Sequence, residues 1–243
     1  MIVACVFVAG PVPYSVDYVV RLERMARRYL RSWFRFVCLT DQAAAFKGTG
    51  IETVSIASRA DVPANGRGYW AKIELFRPGV FSGAADPRER VLYLDLDSLI
   101  VGDLAPLAEY PGHLALITDV IAGDTKARAT VDRYGRQIVR RFNSSAMVWT
   151  ANDRILSPLY YDWTPDVAAR LSTDQDWIGE QCAVADGMPY EWFPRISRQQ
   201  PPWPSEAKVV LVKKPKCHQA VDRWPWFEQA WGGWKRGTTV AGR

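Results

Sequence analysis

Apolar positions along the chain alternate between unbroken runs and helical spacing. Residues 2–8, IVACVFV, are apolar without a break, the pattern of a strand covered on both faces. AGPVPYS interrupts the run. From Ser15, Val19, Leu22, Ala26 and Tyr29 recur on one helical face, with Arg21, Arg24, Arg28 and Arg31 mostly elsewhere. FRFVCLTD predicts a second strand ending at Asp41, and IETVSI a short third. This β-α-β opening predicts an α/β layer fold with ligand chemistry at the strand ends. NGRGYWAKIELFRPG predicts a glycine-rich loop feeding a helix over 69–76, stopped by Pro78 and Gly79. RVLYLDLD predicts a strand running into Asp95 and Asp97. HLALIT, FNSSAMVWT and KVVLV predict three more strands, and helices are expected near 153–161, 165–171 and 174–184. Residues 119–140 carry Asp124, Lys126, Arg128, Asp132, Arg133, Arg136 and Arg140 and read as a charged, mobile or surface segment. The Trp-rich tail reads as a short helix with a frayed end.

A chain of 243 residues suits one large domain, and 48% hydrophobic with 23% charged residues is an ordinary globular balance. The net charge of +5 admits anionic ligands without selecting one. Eleven Trp fit core filling as well as sugar or base stacking. Cys5, Cys38, Cys182 and Cys217 lack metal-binding spacing, and Cys5 and Cys38 sit in apolar runs, so reduced thiols and a cytoplasmic setting are expected. The N-terminal run lacks a basic flank and is too short to span a bilayer, and no later stretch approaches such a span.

The apolar run VLYL ends in two aspartates one residue apart. In an extended segment Asp95 and Asp97 point to one side, because the period is two. Two such carboxylates suit a hard divalent cation, magnesium or manganese, whose open positions diphosphate oxygens fill. The alternative is a pair of surface turn aspartates capping the next segment of chain.

VLYLDLDSLIVGDL closely resembles the metal-binding segment of nucleotide-sugar glycosyltransferases of the GT-A fold, most of all the retaining family 8 group that includes glycogenin and bacterial lipopolysaccharide galactosyltransferases. YWAKIELFRPG resembles that family's Trp/Lys helix, FNSSAMVW its acceptor-side strand, and DQDWIGE its Asp-Gln-Asp helix start. The opening strand and FVCLTD resemble its nucleotide-binding half. These pieces occur in the family's order over roughly residues 2–217. The resemblance implies a single GT-A domain over 1–243 with a Rossmann-like mixed sheet flanked by helices. Residues 2–97 would form the nucleotide half, 98–217 the acceptor and sugar half, and 218–243 an aromatic tail.

It also implies roles. Asp97 would bind the metal, and Asp95 the metal and the donor ribose. The backbone around Val8, Ala9 and Gly10 would hold the base, usually uracil, with Asp41 nearby, while Lys72 would contact donor phosphate or sugar and Trp70 would pack. Asn143, Ser144 and Ser145 would line the sugar pocket, although the family more often has Gly or Ala at the place of Ser145. Asp174 and Gln175 would bind the transferred sugar, Gln175 near its anomeric carbon. The implied reaction is transfer from a UDP-sugar, with Mn²⁺ or Mg²⁺, to a glycan, lipid-linked or other hydroxyl acceptor with retention. An inverting route would need Asp174 or Asp176 as base.

One departure stands out. The family's core ends in a strand followed by a metal-binding His, and here VVLVKKPKCHQ puts Val212 in that place. His218 as the third ligand, a water there, or Lys213 or Lys214 supplying charge to the diphosphate all remain open. His113 reads as structural. Other readings are a degenerate GT-A domain that binds nucleotide or sugar without turnover, and a nucleotidyltransferase, although AGPVPYS lacks the phosphate loop such enzymes carry. The Arg-rich segment and Trp-rich tail also suit a nucleic-acid acceptor carrying a modified base, or an anionic glycan or membrane surface.

Overall fold

The computed structural model describes residues 1–10, 14–56, 68–81, 88–118, 128–140, 142–182, 184–197, 201–212 and 217–231. The strands are β1 (Ile2–Phe7), β2 (Arg35–Thr40), β3 (Glu52–Ser55), β4 (Arg90–Leu94), β5 (Ser98–Ile100), β6 (Leu114–Thr118), β7 (Arg128–Val131), β8 (Gln137–Arg140), β9 (Phe142–Thr150), β10 (Ala185–Met188) and β11 (Val209–Leu211). The helices are α1 (Val16–Tyr29), α2 (Ala105–Ala108), α3 (Pro158–Tyr161), α4 (Pro165–Arg170), α5 (Asp174–Gln181), α6 (Cys217–Arg223) and α7 (Pro225–Ala230). The helix expected over 69–76 is a 3₁₀ helix, Gly68–Phe76.

Seven strands form the main sheet in the order β10-β6-β9-β4-β1-β2-β3. Within this sheet β9 runs against its neighbours, and the other strands are parallel. The unbroken apolar runs arise from cover on both faces. Val3, Cys5 and Phe7 of β1 and Leu92 and Leu94 of β4 join one core with α1, α6 and α7. Ile2, Ala4 and Val6 of β1 and Val91 and Tyr93 of β4 join the opposite core, with the 3₁₀ helix and α3 to α5. Trp70 packs there fully buried, its ring centroid 5.9 Å from that of Trp163. All four cysteines are free and buried.

Chain order creates a crevice. After β1 the chain adds β2 and then β3 on one side, and β4 joins the other side of β1. Such a switch of direction leaves the C-terminal ends of neighbouring parallel strands uncovered, where ligands of α/β sheets bind. Because β9 is antiparallel, its start, not its end, meets the end of β4, with Ala146 opposite Leu94.

Several expectations need correction. Residues 95–97 are not extended: β4 stops at Leu94, and the Ser98 N–H donates to the Asp95 carbonyl at 3.2 Å, closing a turn. The chain then leaves the main sheet, because β5 pairs with β11. Within the charged segment, residues 128–140 form a β-hairpin, β7 with β8. Its turn has Gly135 at φ 77° and buried Asp132, whose Oδ1 accepts the Tyr134 and Arg136 N–H groups at 2.9 and 2.8 Å. Dense charge hid the strand alternation on either side of this turn. Residues 119–127 and Arg141 lie outside the described residues. β10 had not been expected; Gly and Asp are poor strand formers, and β10 is recruited only as the sheet edge beside β6. The tail resolves into α6 and α7, with 232–243 outside the described residues. Among the described residues no helix is long and apolar enough to cross a membrane.

Two glycines give opposite expectations. A Cβ on Gly102 would collide with the Ala207 carbonyl oxygen, where Val101 and Gly102 both donate to the Lys208 carbonyl. Gly102→Ala is expected to lower unfolding free energy by about 1–3 kcal/mol. Gly179, inside α5, faces open space, and Gly179→Ala is expected to raise it by up to about 1 kcal/mol. Urea denaturation checks both signs.

Candidate active site

Four pieces of chain meet where β1 and β4 diverge. The end of β4 brings Asp95, the turn after it brings Asp97, the 3₁₀ helix brings Lys72, and the starts of β9 and α5 bring Ser144 and Asp174. Lys72 is buried, and its ammonium lies 2.8 Å from Asp95 Oδ1 and 3.5 Å from Asp174 Oδ2. It also donates to the Ser144 hydroxyl at 3.2 Å and carbonyl at 3.4 Å. The Ser144 hydroxyl in turn donates to Asp174 Oδ2 at 2.5 Å. Tyr93, two residues before Asp95 on the same strand, donates to Asp95 Oδ1 at 2.6 Å, and the Lys72 ammonium sits 5.4 Å from the Tyr93 ring centroid.

Among the described residues three carboxylates act on one ammonium here, since Lys72 feels Asp174, Asp95 and Asp97 together. Burial alone would lower the Lys72 pKa, but Asp174 and Asp95 outweigh it and hold the group well above its usual value, as an ammonium. Burial raises the Asp174 pKa above the usual carboxylate range, with Asp95 adding to the rise and Lys72 and Ser144 opposing it. The surrounding acids thus set the direction at Lys72, and burial sets it at Asp174.

Asp97 is buried beside this group, and the Tyr14 hydroxyl donates to its Oδ2 at 3.1 Å. Burial, then Asp97 and Asp95, push the Tyr14 phenol far above its usual pKa, so it remains a proton donor. The Asp97 carbonyl accepts the N–H of Val212, itself fully buried. Tyr14 stacks edge-on against Tyr18 at 5.0 Å, and the Tyr18 hydroxyl lies 2.7 Å from His218 Nδ1 and accepts the His218 N–H at 3.1 Å.

The residues named from sequence therefore fall into distinct groups. Lys72, Asp95, Ser144 and Asp174 are in direct contact. Asp97 joins them through the turn and through the field at Lys72. Asp41 reaches across from the end of β2 and accepts the Ala9 N–H at 3.0 Å, so it braces the loop of Val8, Ala9 and Gly10, and that amide is already engaged. Asn143 is buried with its Oδ1 accepting the Ser145 N–H at 2.8 Å, and Ser145 is buried beside it. Gln175 lies half-buried in the first turn of α5. Asp176 closes a capping box with Thr173, accepting its N–H and hydroxyl, which turns that carboxylate back onto its own helix. His218 is not brought to Asp95 and Asp97 as a third ligand: among the described residues no three His, Cys, Asp or Glu side chains are placed to hold a metal ion. Lys213 and Lys214 lie outside the described residues. His113 pairs with Asp153 through Nδ1 at 2.7 Å, away from this group.

Sequence reasoning missed Tyr14 and Tyr93. Tyr93 had a signal, because period two puts it beside Asp95. Tyr14 had none, since its partner lies 83 residues away.

No family model and no curated protein matches this chain. Solved structures do match. The galactosyltransferase LgtC, in complex with donor and acceptor sugar analogues, superposes with a TM-score of 0.62 at 16% identity over 99% of this chain and 98% of that one. An active-site mutant of LgtC superposes equally well at 15% identity. The bifunctional glycosyltransferase WbbM, in its apo form, superposes at 0.57 and 12% identity over 94% of this chain and 50% of that one. The chain thus has the GT-A fold that the sequence resemblance implied.

The raised pKa of Asp174 has a sign that can be checked. A carboxyl that holds its proton more tightly when folded loses stability as pH rises through its folded pKa. Asp174→Asn is therefore expected to raise the melting temperature at neutral pH, and the gap from wild type should close as pH falls and Asp174 takes up its proton. A lowered melting temperature at neutral pH would mean that Lys72 outweighs burial at this site.

Proposed function

We propose that this protein is a metal-dependent glycosyltransferase that moves a sugar from a nucleoside diphosphate donor, a UDP-sugar, to a hydroxyl acceptor with retention. The observation that carries the reading is the buried ammonium of Lys72 shared between the strand-end Asp95 and the helix-start Asp174, at the point where the sheet reverses direction. Among the described residues a bare diphosphate entering there meets Asp95, Asp97 and Asp174 around the one ammonium of Lys72. A hard divalent ion reverses that sign, and the oxygen-only donors fit it. Asp95 and Asp97 would hold Mn²⁺ or Mg²⁺, with donor oxygens or water as the other ligands, as is usual for such ions. When bound, the ion stabilises negative charge on the departing diphosphate.

The remaining work falls to the chain itself. Val8, Ala9 and Gly10, braced by Asp41, form the base-side rim. Lys72 keeps its charge and faces both the donor and Asp95, a fixed positive group that needs no rearrangement as charge develops. Asp174 and Gln175 hold the transferred sugar from the start of α5, with Asn143, Ser144 and Ser145 alongside. In the retaining route the acceptor hydroxyl approaches on the face the leaving group departs from, and its proton passes to the leaving phosphate oxygen. Asp176, committed to its capping box, is a poor base for the inverting alternative. A glycan or lipid-linked hydroxyl is the acceptor class we favour over a nucleic-acid base, because the fold is shared with a galactosyltransferase solved with donor and acceptor sugar analogues.

A second reading has an observation of its own. Val212, where the resembling family has a metal-binding His, is buried and donates its N–H to the Asp97 carbonyl, which suits a domain that binds nucleotide without turnover.

Melting temperature with UDP and Mn²⁺ tests the proposal. Both together should raise it clearly, since a ligand at a hundredfold excess over its dissociation constant adds about 2.7 kcal/mol. Each alone should do little. Asp97→Ala should abolish the shift while the apo protein stays folded, and an unchanged shift in that variant would remove Asp97 from the site. A shift in wild type without sugar transfer or donor hydrolysis would select the second reading, and no shift with any nucleotide would reject both.

A further inference from the structure

The start of β9 is irregular in a way that bears on Asp174. Along β6, Leu116 and Ile117 are consecutive, yet their partners on β9 are Met147 and Asn143. Ser144, Ser145 and Ala146 therefore have no partner on β6, while on the other side Ala146 stays opposite Leu94 of β4 and the Asp95 N–H donates to the Ser145 carbonyl at 2.9 Å. All three are buried. Bulges re-aim side chains beside functional sites. This one is pinned from within, because Asn143 Oδ1 accepts the Ser145 N–H at 2.8 Å. The side chain it re-aims is Ser144, whose hydroxyl proton goes to Asp174 and whose lone pair takes Lys72.

A serine hydroxyl has one proton. Ser144 has spent it on Asp174, so no proton remains for a bound sugar. We propose that Ser144 is a positioning residue that fixes the Asp174 carboxylate toward the transferred sugar and holds Lys72 between its two acids, and that Asn143 acts one step further out by holding the bulge. This assignment rests on the proposed nucleotide-sugar site and deepens it. It replaces the expectation that Asn143 and Ser144 line the sugar pocket: both would influence the sugar only through Asp174 and Lys72.

The test is a double-mutant cycle read as the affinity ratio of UDP-sugar to UDP, by calorimetry with Mn²⁺, using whichever of UDP-glucose, UDP-galactose or UDP-N-acetylglucosamine binds wild type most tightly. Ser144→Ala should cut the ratio about tenfold, the scale of one hydrogen bond to a buried charged group, so that it loses more affinity for UDP-sugar than for UDP. Asp174→Asn should cut it at least as far. The double variant should be no worse than Asp174→Asn alone, because Ser144 acts through Asp174. Additive losses would mean that Ser144 does not act through Asp174 and would overturn the assignment. Ser144→Cys keeps the volume with a weaker donor and should fall between Ser and Ala; a ratio equal to wild type would also overturn it. Wild type that binds UDP but none of the three sugars more tightly would overturn it too, leaving the nucleotide site standing. Wild type that binds no nucleotide would defeat the site reading itself.

Discussion

A lysine ammonium can stay charged in a protein interior only where carboxylates and hydrogen-bond acceptors surround it, and it then dictates what its neighbours must be. Lys72 is that group here. It satisfies Asp95 from the sheet, Asp174 from a helix start and the Ser144 carbonyl and hydroxyl from a bulged strand. Removing the ammonium would leave its carboxylates with a buried and unbalanced charge. The group therefore locks four distant stretches of sequence to one another. Among the described residues it also gathers Asp95, Asp97 and Asp174 around one ammonium, the setting on which the proposed divalent ion rests.

The sheet makes this convergence geometrically available. Its strands could have been arranged in many orders, but a reversal of direction beside β1 opens the crevice between β1 and β4. A single antiparallel strand then does what a parallel one would not, by delivering the beginning of FNSSAMVWT to the end of RVLYL. With β9 parallel, Asn143 to Ser145 would lie at the opposite edge of the sheet from Asp95.

The second small sheet and the C-terminal helices complete the far wall. β11 pairs with β5, and this pairing carries the turn of Asp95 to Asp97 against Val212. Tyr14 and Tyr18 then link Asp97 to α6 through an edge-on aromatic contact and the hydrogen bonds of Tyr18 with His218. His218 thus contributes to the rigidity of the carboxylate turn from behind it. Val212 anchors the same turn through its backbone, donating its N–H to the Asp97 carbonyl at 2.9 Å.

Most strands and helices were legible in the amino-acid order, because burial on two faces writes apolar runs and burial on one helical face writes a period near 3.6. The residue types that could carry the chemistry were legible too: Asp95, Asp97, Lys72, Asn143, Ser144 and Asp174 each stand out against their local background. How they are joined was not. Period two predicted that Asp95 and Asp97 share a side by extension, whereas pairing of β5 with a strand far later in the chain bends them into a turn. Tyr14 carried no local mark, and charge density hid the β7–β8 hairpin. The serines of β9 looked like pocket lining until a bulge, set by pairing with two different strands, turned one of them onto Asp174. Local pattern records whether a residue is buried. Which buried polar groups satisfy one another depends on contacts between segments far apart in the chain, and local periodicity does not encode those.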